Sequence, residues 1–243
     1  MWPQTNISLP KEVLNLFPQV IMLPGSSNPE GSPKYKRVYA AIEQESARCG
    51  FNCHTVPFPG HGTTLGKLNY KNALEAASNE CRRIEPAWLI ARSFGCLVAA
   101  GVCGSADAWV GKCRGVVFWG PFFKRALHSE FGTPSVFQVT KENYRKCEAF
   151  LTDDYFATLP EFDRLIASCR CNVRLARGTE DDLNTRNDLR EFGRAHQLHQ
   201  RGFVLEIVEV EGAKHSVDPA ETSTLVLAEY ARCLFEPFRL NRG

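Results

Sequence analysis

The sequence lacks a dominant charge and a long apolar run, and its first residues do not have the pattern of a leader. Its 243 residues contain 29 Lys and Arg against 27 Asp and Glu, which gives a formal net charge of +2. Nucleic-acid binding calls for a clustered basic stripe, and none is present. No stretch approaches the ~20 apolar residues that span a bilayer, and no charged segment followed by an apolar one opens the chain. We therefore expect a soluble, unexported, cytoplasmic protein without a nucleic-acid partner or a membrane span.

The common nucleotide and metal motifs are also missing. No Gly-x-x-x-x-Gly-Lys-Ser/Thr string occurs, and no Gly-x-Gly-x-x-Gly string follows a predicted strand. Cys169 and Cys171 are too close together for a common zinc knuckle, and no second pair accompanies them. These absences predict that the protein uses neither a metal nor a cofactor.

Cysteine is plentiful, with ten residues in the chain. Such a number indicates disulfides in a small secreted protein, but this chain is neither small nor recognisably secreted. At this length, and with 44% apolar residues, it can bury about 70–75% of its unfolded surface around one substantial core. We expect reduced thiols that mostly fill that core.

Apolar runs alternate with helix-like segments along most of the chain. This alternation is typical of an α/β protein whose mostly parallel sheet is covered by helices on both faces. The predicted strands are 20–23, 51–56, 87–91, 115–119, 171–176 and 202–210. Residues 94–104 are apolar nearly all round, so the helix predicted there should be buried against the sheet. A last helix is predicted to open at Asp218, with Pro219 at its first position.

The regular spacing breaks down between the fourth and fifth predicted strands. Residues 121–170 hold about fifty positions, where a single crossover needs about twenty. Nine of the chain's aromatic residues fall in this segment. We interpret it as an insertion into the alternating pattern.

The most informative segment is 88–96, Trp-Leu-Ile-Ala-Arg-Ser-Phe-Gly-Cys, where a predicted strand runs into a predicted helix through Ser93. A sharp turn of this kind needs small residues two positions before and after the serine, because a larger side chain would collide with neighbouring backbone. Ala91 and Gly95 occupy those positions. The turn would lift the hydroxyl above the sheet, and the helix start would direct N–H groups at an oxyanion formed there. An ordinary helix cap is the alternative interpretation of Ser93.

A serine hydroxyl is a weak nucleophile and needs a histidine base that a carboxylate orients. Both residue types occur downstream, each in a loop after a predicted strand. The first loop, 177–182, is Arg-Gly-Thr-Glu-Asp-Asp, and the second, 211–216, is Glu-Gly-Ala-Lys-His-Ser. The chain order is therefore serine, acid, histidine.

In these motifs and their order the chain resembles the α/β-hydrolase superfamily. Residues 23–26, Leu-Pro-Gly-Ser, lie where that family has its oxyanion loop, and 59–64, Pro-Gly-His-Gly-Thr-Thr, are similar to its loop after the next strand. The sequence departs from the family at Pro24, where many members have histidine, and at Ala91, where most have glycine. The resemblance implies an α/β-hydrolase fold of about six strands, in one domain over 1–243. It also implies that 121–170 form a cap or lid inserted after the fourth strand.

The resemblance also implies roles for single residues. Ser93 would be the nucleophile, His215 the base, and Asp181 the acid, since Gly178 and Asp181 have the Gly-x-x-Asp spacing of the family. The backbone N–H groups of Ser26 and Phe94 would form the oxyanion hole. The alternatives for the acid are Asp182, Glu180 and the pair Asp153 and Asp154.

For the substrate we expect an acyl ester or thioester of a small molecule, bound against Trp119, Phe122 and Phe123 at the end of the fourth strand. Arg92 would either bind a substrate anion or form a salt bridge at the turn, and His61 would stabilise its own loop.

The leading hypothesis is a serine hydrolase that cleaves a carboxylic ester through an acyl-enzyme. The rivals are an acyl thioesterase with the same three residues and a non-catalytic ligand-binding protein of this fold.

Overall fold

Six short segments form one parallel sheet in the computed structural model. The strands are β1 (Gln19–Leu23), β2 (Asn52–Thr55), β3 (Trp88–Arg92), β4 (Gly115–Trp119), β5 (Asn172–Gly178) and β6 (Leu205–Val210). Their order in the sheet is β2-β1-β3-β4-β5-β6, and every neighbouring pair is parallel. The structure describes residues 17–26, 33–61, 66–121, 160, 162–181 and 205–215. Within these residues the predicted six-stranded fold is confirmed.

The central strands are buried on both faces, which is why they consist of continuous apolar runs. All five residues of β3 and all five of β4 are buried. The predicted strand positions are correct to within a few residues, because proline or glycine interrupts the chain close to most strand ends. Residues 202–204 of the sixth predicted strand lie outside the described residues.

Helices cover both faces of the sheet, as expected. They are α1 (Pro33–Arg48), α2 (Tyr70–Ile84), α3 (Phe94–Cys103) and α4 (Phe162–Ile166), with a 3-10 helix at Ala108–Gly111. The side chain of Asn69 caps α2 by accepting a 2.8 Å hydrogen bond from the N–H of Asn72. Nine of the ten residues of α3 are buried, which confirms the prediction of a buried helix. Because α3 is enclosed, its first turn has a fixed position relative to β3.

The core has two parts, one on each face of the sheet. The first contains α2, α3 and α4 against β-strand residues such as Leu89 and Phe118, and the second contains Val38 and Ile42 of α1 with Trp119. Each such large apolar side chain contributes about 2 kcal/mol on burial. The loops that follow the strands are therefore attached to a tightly packed sheet and its helices.

The segment 121–170 is described only at Pro121, Pro160 and 162–170. There α4 packs against α3, and the ring of Phe162 meets that of Phe118 edge to face at 5.3 Å. Its role as a cap, and the division of the chain into one domain with a cap, stay predictions. The helix predicted from Asp218 lies outside the described residues.

Eight of the ten cysteines are described, all as thiols, and seven of them are buried. Cys81, Cys96 and Cys103 are fully enclosed in the core beside α2 and α3. Burial raises the pKa of the Cys96 thiol well above its ordinary value. The expectation that the thiols fill the core is confirmed for the seven buried residues, and their reduced state stays a prediction. Cys147 and Cys233 lie outside the described residues.

Candidate active site

Ser93 occupies the sharp turn between β3 and α3. Its backbone has φ +50° and ψ −119°, a conformation that residues with a side chain rarely adopt. The N–H of Ser93 donates to the Trp119 carbonyl at 3.0 Å, which ties the turn to β4. The packing of β3, β4 and α3 thus holds Ser93 in a strained conformation at the carboxyl edge of the sheet.

The small residues around Ser93 allow close contact between backbones. A Cβ on Gly95 would lie 2.3 Å from the carbonyl oxygen of Leu23 and 2.5 Å from that of Pro24. Ala91 is fully buried. The first turn of α3 therefore lies directly against the chain leaving β1, and position 95 has room only for glycine.

The side chains of Ser93, His215 and Asp181 form one hydrogen-bonded chain. Ser93 Oγ lies 3.1 Å from His215 Nε2, and His215 Nδ1 lies 3.2 Å from Asp181 Oδ2. The Asp181 side chain is fully buried, and that of His215 is 10% exposed. A neutral imidazole protonated at Nδ1 donates to the carboxylate and accepts from the serine hydroxyl. The three residues follow β3, β5 and β6, whose carboxyl ends share one edge of the sheet.

Backbone hydrogen bonds join the loop of the acid to the loop of the histidine. The N–H of Thr179 donates to the Val210 carbonyl at 2.9 Å, and the N–H of Glu180 donates to the Ala213 carbonyl at 3.0 Å. The N–H of Gly212 donates to Thr179 Oγ1 at 2.9 Å. These bonds fix the separation between Asp181 and His215 independently of their side chains.

Among the alternative acids, Glu180 has an exposed side chain. Asp182, Asp153 and Asp154 lie outside the described residues.

Gly120 was not singled out from the sequence, yet it lies beside the imidazole of His215. Its φ is +51°, and a Cβ there would lie 3.4 Å from His215 Nδ1 and 3.7 Å from Asp181 Oδ2. The sequence signal for it is a glycine directly after the fourth strand.

The chain after β1 passes beside the serine. A Cβ on Gly25 would lie 3.4 Å from Ser93 Cβ, and Ser26 is 3% exposed. Phe94 is the first residue of α3 and directly follows Ser93 in the sequence. Ser26 follows Gly25, the residue that lies against Ser93. The predicted donation by Ser26 and Phe94 to an oxyanion stays a prediction.

Arg92 is the last residue of β3 and is 4% exposed. Its guanidinium lies 5.3 Å from the centre of the Trp119 ring, and Nη2 donates to the His215 carbonyl at 3.4 Å. The second contact supports the backbone of the loop that carries His215. Trp119 is 1% exposed, and its predicted role in substrate binding stays a prediction; Phe122 and Phe123 lie outside the described residues.

His61 lies fully buried in the loop after β2 and contacts two backbone segments. Its Nδ1 accepts from the N–H of Phe58 at 3.4 Å, and its Nε2 lies 3.2 Å from the Ser26 carbonyl oxygen. Burial lowers the pKa of His61 to about 4, although its hydrogen bond with Ser26 acts in the opposite direction. His61 therefore reaches the loop after β1 as well as its own loop.

Neither a metal-binding cluster nor a membrane-spanning helix occurs among the described residues. No group of three or more His, Cys, Asp and Glu side chains there is arranged to hold a metal ion. None of the helices in that part of the chain is long and apolar enough to cross a membrane.

Solved structures share this architecture. An esterase of Pyrococcus furiosus superposes with a TM-score of 0.68 at 16% identity, covering 94% of this chain and 84% of that one. An esterase domain from Rhodothermus marinus gives 0.62 at 15% identity, covering 96% and 90%. A thioesterase domain from the curacin biosynthetic pathway gives 0.60 at 12% identity, covering 92% and 91%. No protein-family model and no curated protein matches the sequence. At these identities the likeness is one of fold.

Proposed function

Because the chain has the α/β-hydrolase fold, we propose that it is a serine hydrolase that cleaves a carboxylic ester through an acyl-enzyme. The observation that carries this proposal is the hydrogen-bonded chain of Ser93, His215 and Asp181 at the carboxyl edge of the sheet. A serine in a strained turn, a histidine within reach and a buried carboxylate together meet the requirements of an activated nucleophile.

Acylation begins when Ser93 Oγ attacks the ester carbonyl carbon. His215 Nε2 takes the hydroxyl proton as the new bond forms, and the carbonyl oxygen becomes an oxyanion. The N–H groups of Ser26 and Phe94 are proposed to donate to that oxygen, each contributing about 3 kcal/mol to the transition state. When the intermediate collapses, the bond to the alcohol oxygen breaks and His215 returns its proton to that oxygen.

Deacylation repeats these steps with water. His215 Nε2 takes a proton from the water as its oxygen attacks the acyl carbon, and the bond to Ser93 Oγ then breaks. The serine oxygen recovers a proton from His215, and the free carboxylic acid leaves. Asp181 keeps the proton on Nδ1 and stabilises the imidazolium that forms in both halves.

The acyl pocket is proposed to form where β4 ends. Trp119 is the last residue of β4. Phe122 and Phe123 follow it in the sequence and belong to the segment 121–170, which is rich in aromatic residues. An apolar wall of this kind suits an acyl chain or a ring. We propose that the same segment forms the cap over the site.

An acyl thioester is the second candidate substrate, because a thioesterase domain is among the structures that share this fold. The two substrates need the same nucleophile, base and oxyanion donors, and they differ only in the leaving group. Competition between p-nitrophenyl acetate and a matched thioacetate would separate them. A higher kcat/KM for the thioester would favour the second candidate.

The test of the proposal is hydrolysis of p-nitrophenyl acetate by the wild-type protein, Ser93→Ala and His215→Ala. We expect each variant to lose about a thousandfold or more in kcat. Ser168→Ala is the matched control, since Ser168 lies beside Gly104 at the opposite end of α3, and it should retain wild-type activity. Wild-type rates in Ser93→Ala would overturn the proposal, and a folded wild type that hydrolyses neither ester nor thioester would favour the non-catalytic rival.

A further inference from the structure

Two hydrogen bonds hold the segment 24–26 after β1. The N–H of Gly25 donates to Tyr39 Oη at 3.2 Å, and His61 Nε2 lies 3.2 Å from the Ser26 carbonyl oxygen. Tyr39 belongs to the core on one face of the sheet, whereas Phe58, which lies beside His61, belongs to the core on the other. The segment is therefore anchored to both layers of the molecule.

These two anchors flank one peptide group. The Gly25 N–H belongs to the peptide between residues 24 and 25, and the Ser26 carbonyl to the peptide between 26 and 27. The peptide between them carries the Ser26 N–H, and each peptide group is planar and moves as a unit. Glycine gives this segment wide backbone freedom, so the middle peptide would rotate easily if its neighbours were not fixed.

The tautomer of His61 follows from its surroundings. Since Nδ1 accepts from the Phe58 N–H, the single proton of the neutral ring is on Nε2 and is donated to the Ser26 carbonyl. The low pKa that burial gives His61 keeps the ring neutral at ordinary pH. The same ring packs 5.5 Å from that of Phe58, which meets Phe94 edge to face at 5.7 Å. His61 thus contacts Ser26, one proposed oxyanion donor, directly. It is linked to Phe94, the other proposed donor, through the ring of Phe58.

We propose that His61 is a positioning residue of the oxyanion hole: with Tyr39, it fixes the peptide that carries the Ser26 N–H. This inference rests on the proposed function, since it presumes that Ser26 donates to the oxyanion. His61 itself does not touch the substrate. Its loss should weaken binding of the transition state and leave binding of the ground state nearly unchanged.

Two substitutions separate this role from simple support of the loop after β2. His61→Asn places an amide oxygen near the position of Nδ1 and keeps an acceptor for the Phe58 N–H, but it loses the donor to Ser26. His61→Gln reaches the position of Nε2 and can restore that donor. We expect His61→Asn to lower kcat for p-nitrophenyl acetate about tenfold to a hundredfold with KM within about twofold, and His61→Gln to recover most of the loss.

The inhibition constant of a transition-state analogue would not change if His61 only supported the loop after β2. A serine hydrolase binds 1,1,1-trifluoroacetone as a hemiketal oxyanion, so its Ki should rise in proportion to KM/kcat across the variants. Tyr39→Phe removes the acceptor for the Gly25 N–H but keeps the ring, and it should give the same pattern in kcat and Ki. Unfolding temperatures and circular dichroism would identify any variant that fails to fold, in which case Tyr39→Phe and His61→Gln carry the test.

The outcomes distinguish the two proposals. A folded His61→Asn with wild-type kcat and Ki, or a folded Tyr39→Phe with unchanged kcat, would overturn the positioning role while leaving the serine hydrolase intact. A wild-type protein that neither hydrolyses p-nitrophenyl acetate nor binds the ketone would instead refute the proposed function.

Discussion

Gly178 and Ala213 are in direct backbone contact: a Cβ on Gly178 would lie 1.8 Å from the Ala213 carbonyl oxygen. Gly178 ends β5 three residues before Asp181, and Ala213 lies two residues before His215. The distance between the acid and the histidine is therefore set where the two loops leave the sheet. The 3.2 Å contact between His215 Nδ1 and Asp181 Oδ2 depends on this backbone contact.

Gly178→Ala should separate the two loops. The added methyl group would meet backbone, which cannot move aside like a flexible side chain, so we expect a loss of several kcal/mol in unfolding free energy. The Asp181–His215 contact would lengthen, and kcat should fall at least about tenfold. Denaturant unfolding and p-nitrophenyl acetate hydrolysis measure the two effects.

Gly111→Ala is the matched control for this change, because nothing lies within 4 Å of a Cβ at Gly111. It should retain wild-type stability and activity. A Gly178→Ala protein that matched this control in both measurements would show that the close contact does not constrain the loops.

Gly95→Ala should disturb the other half of the site. The new Cβ would collide with the carbonyl oxygens of Leu23 and Pro24, and so force α3 away from the segment that carries Ser26. We expect a lower unfolding temperature and a lower rate of acylation, measured by calorimetry and by the pre-steady-state release of p-nitrophenol. An unchanged acylation rate in the folded variant would contradict the proposed placement of the oxyanion donors.

Asp181→Asn should remove the carboxylate that orients His215 while preserving the size of the side chain. We expect kcat to fall by a factor of about a thousand to ten thousand, because the imidazole would lose its preferred tautomer. Glu180→Gln is the control on the neighbouring residue and should stay close to wild type. A larger loss of kcat in Glu180→Gln than in Asp181→Asn would show that Asp181 is not the acid.

The unfolding free energy should depend on the protonation of His61. The pKa of this residue is lowered from 6.5 to about 4 in the folded protein, so between these values the unfolded chain binds a proton that the folded chain does not. Stability should fall as the pH drops from about 6.5 to 4, by on the order of 3 kcal/mol from this residue. Urea unfolding of the wild type and His61→Gln across this range would test it. Equal pH dependence in the two proteins would contradict the buried, neutral state of His61.

Much of the fold was predictable because local sequence determines it. The strand 115–119 was predicted with the bounds found, since a run of glycine, two valines, phenylalanine and tryptophan is too short and too apolar for a surface helix. The sharp turn at Ser93 was predictable from its small neighbours Ala91 and Gly95. The positions of Asp181 and His215 in the loops after β5 and β6 were predictable from the order of the strands.

The remaining features depend on contacts between distant parts of the chain. The choice between Asp181 and its neighbours was open, because sequence spacing does not determine which way a loop side chain points. The hydrogen bond that Gly25 donates to Tyr39 and the one between His61 and Ser26 join residues far apart in the sequence. The packing of α1 on β1, and the loop that follows β2 beside β1, bring these residues together. No local periodicity indicates such contacts, so the sequence does not predict them.

The central claim is that Ser93 is an activated nucleophile, and covalent labelling tests it most directly. Wild type, Ser93→Ala and His215→Ala would each be incubated with a fluorophosphonate and measured by intact mass, with peptide mapping of any adduct. We predict one adduct on the wild type, located at Ser93, absent from Ser93→Ala and formed far more slowly in His215→Ala. A folded wild type without an adduct, or an adduct that persists in Ser93→Ala, would contradict the account.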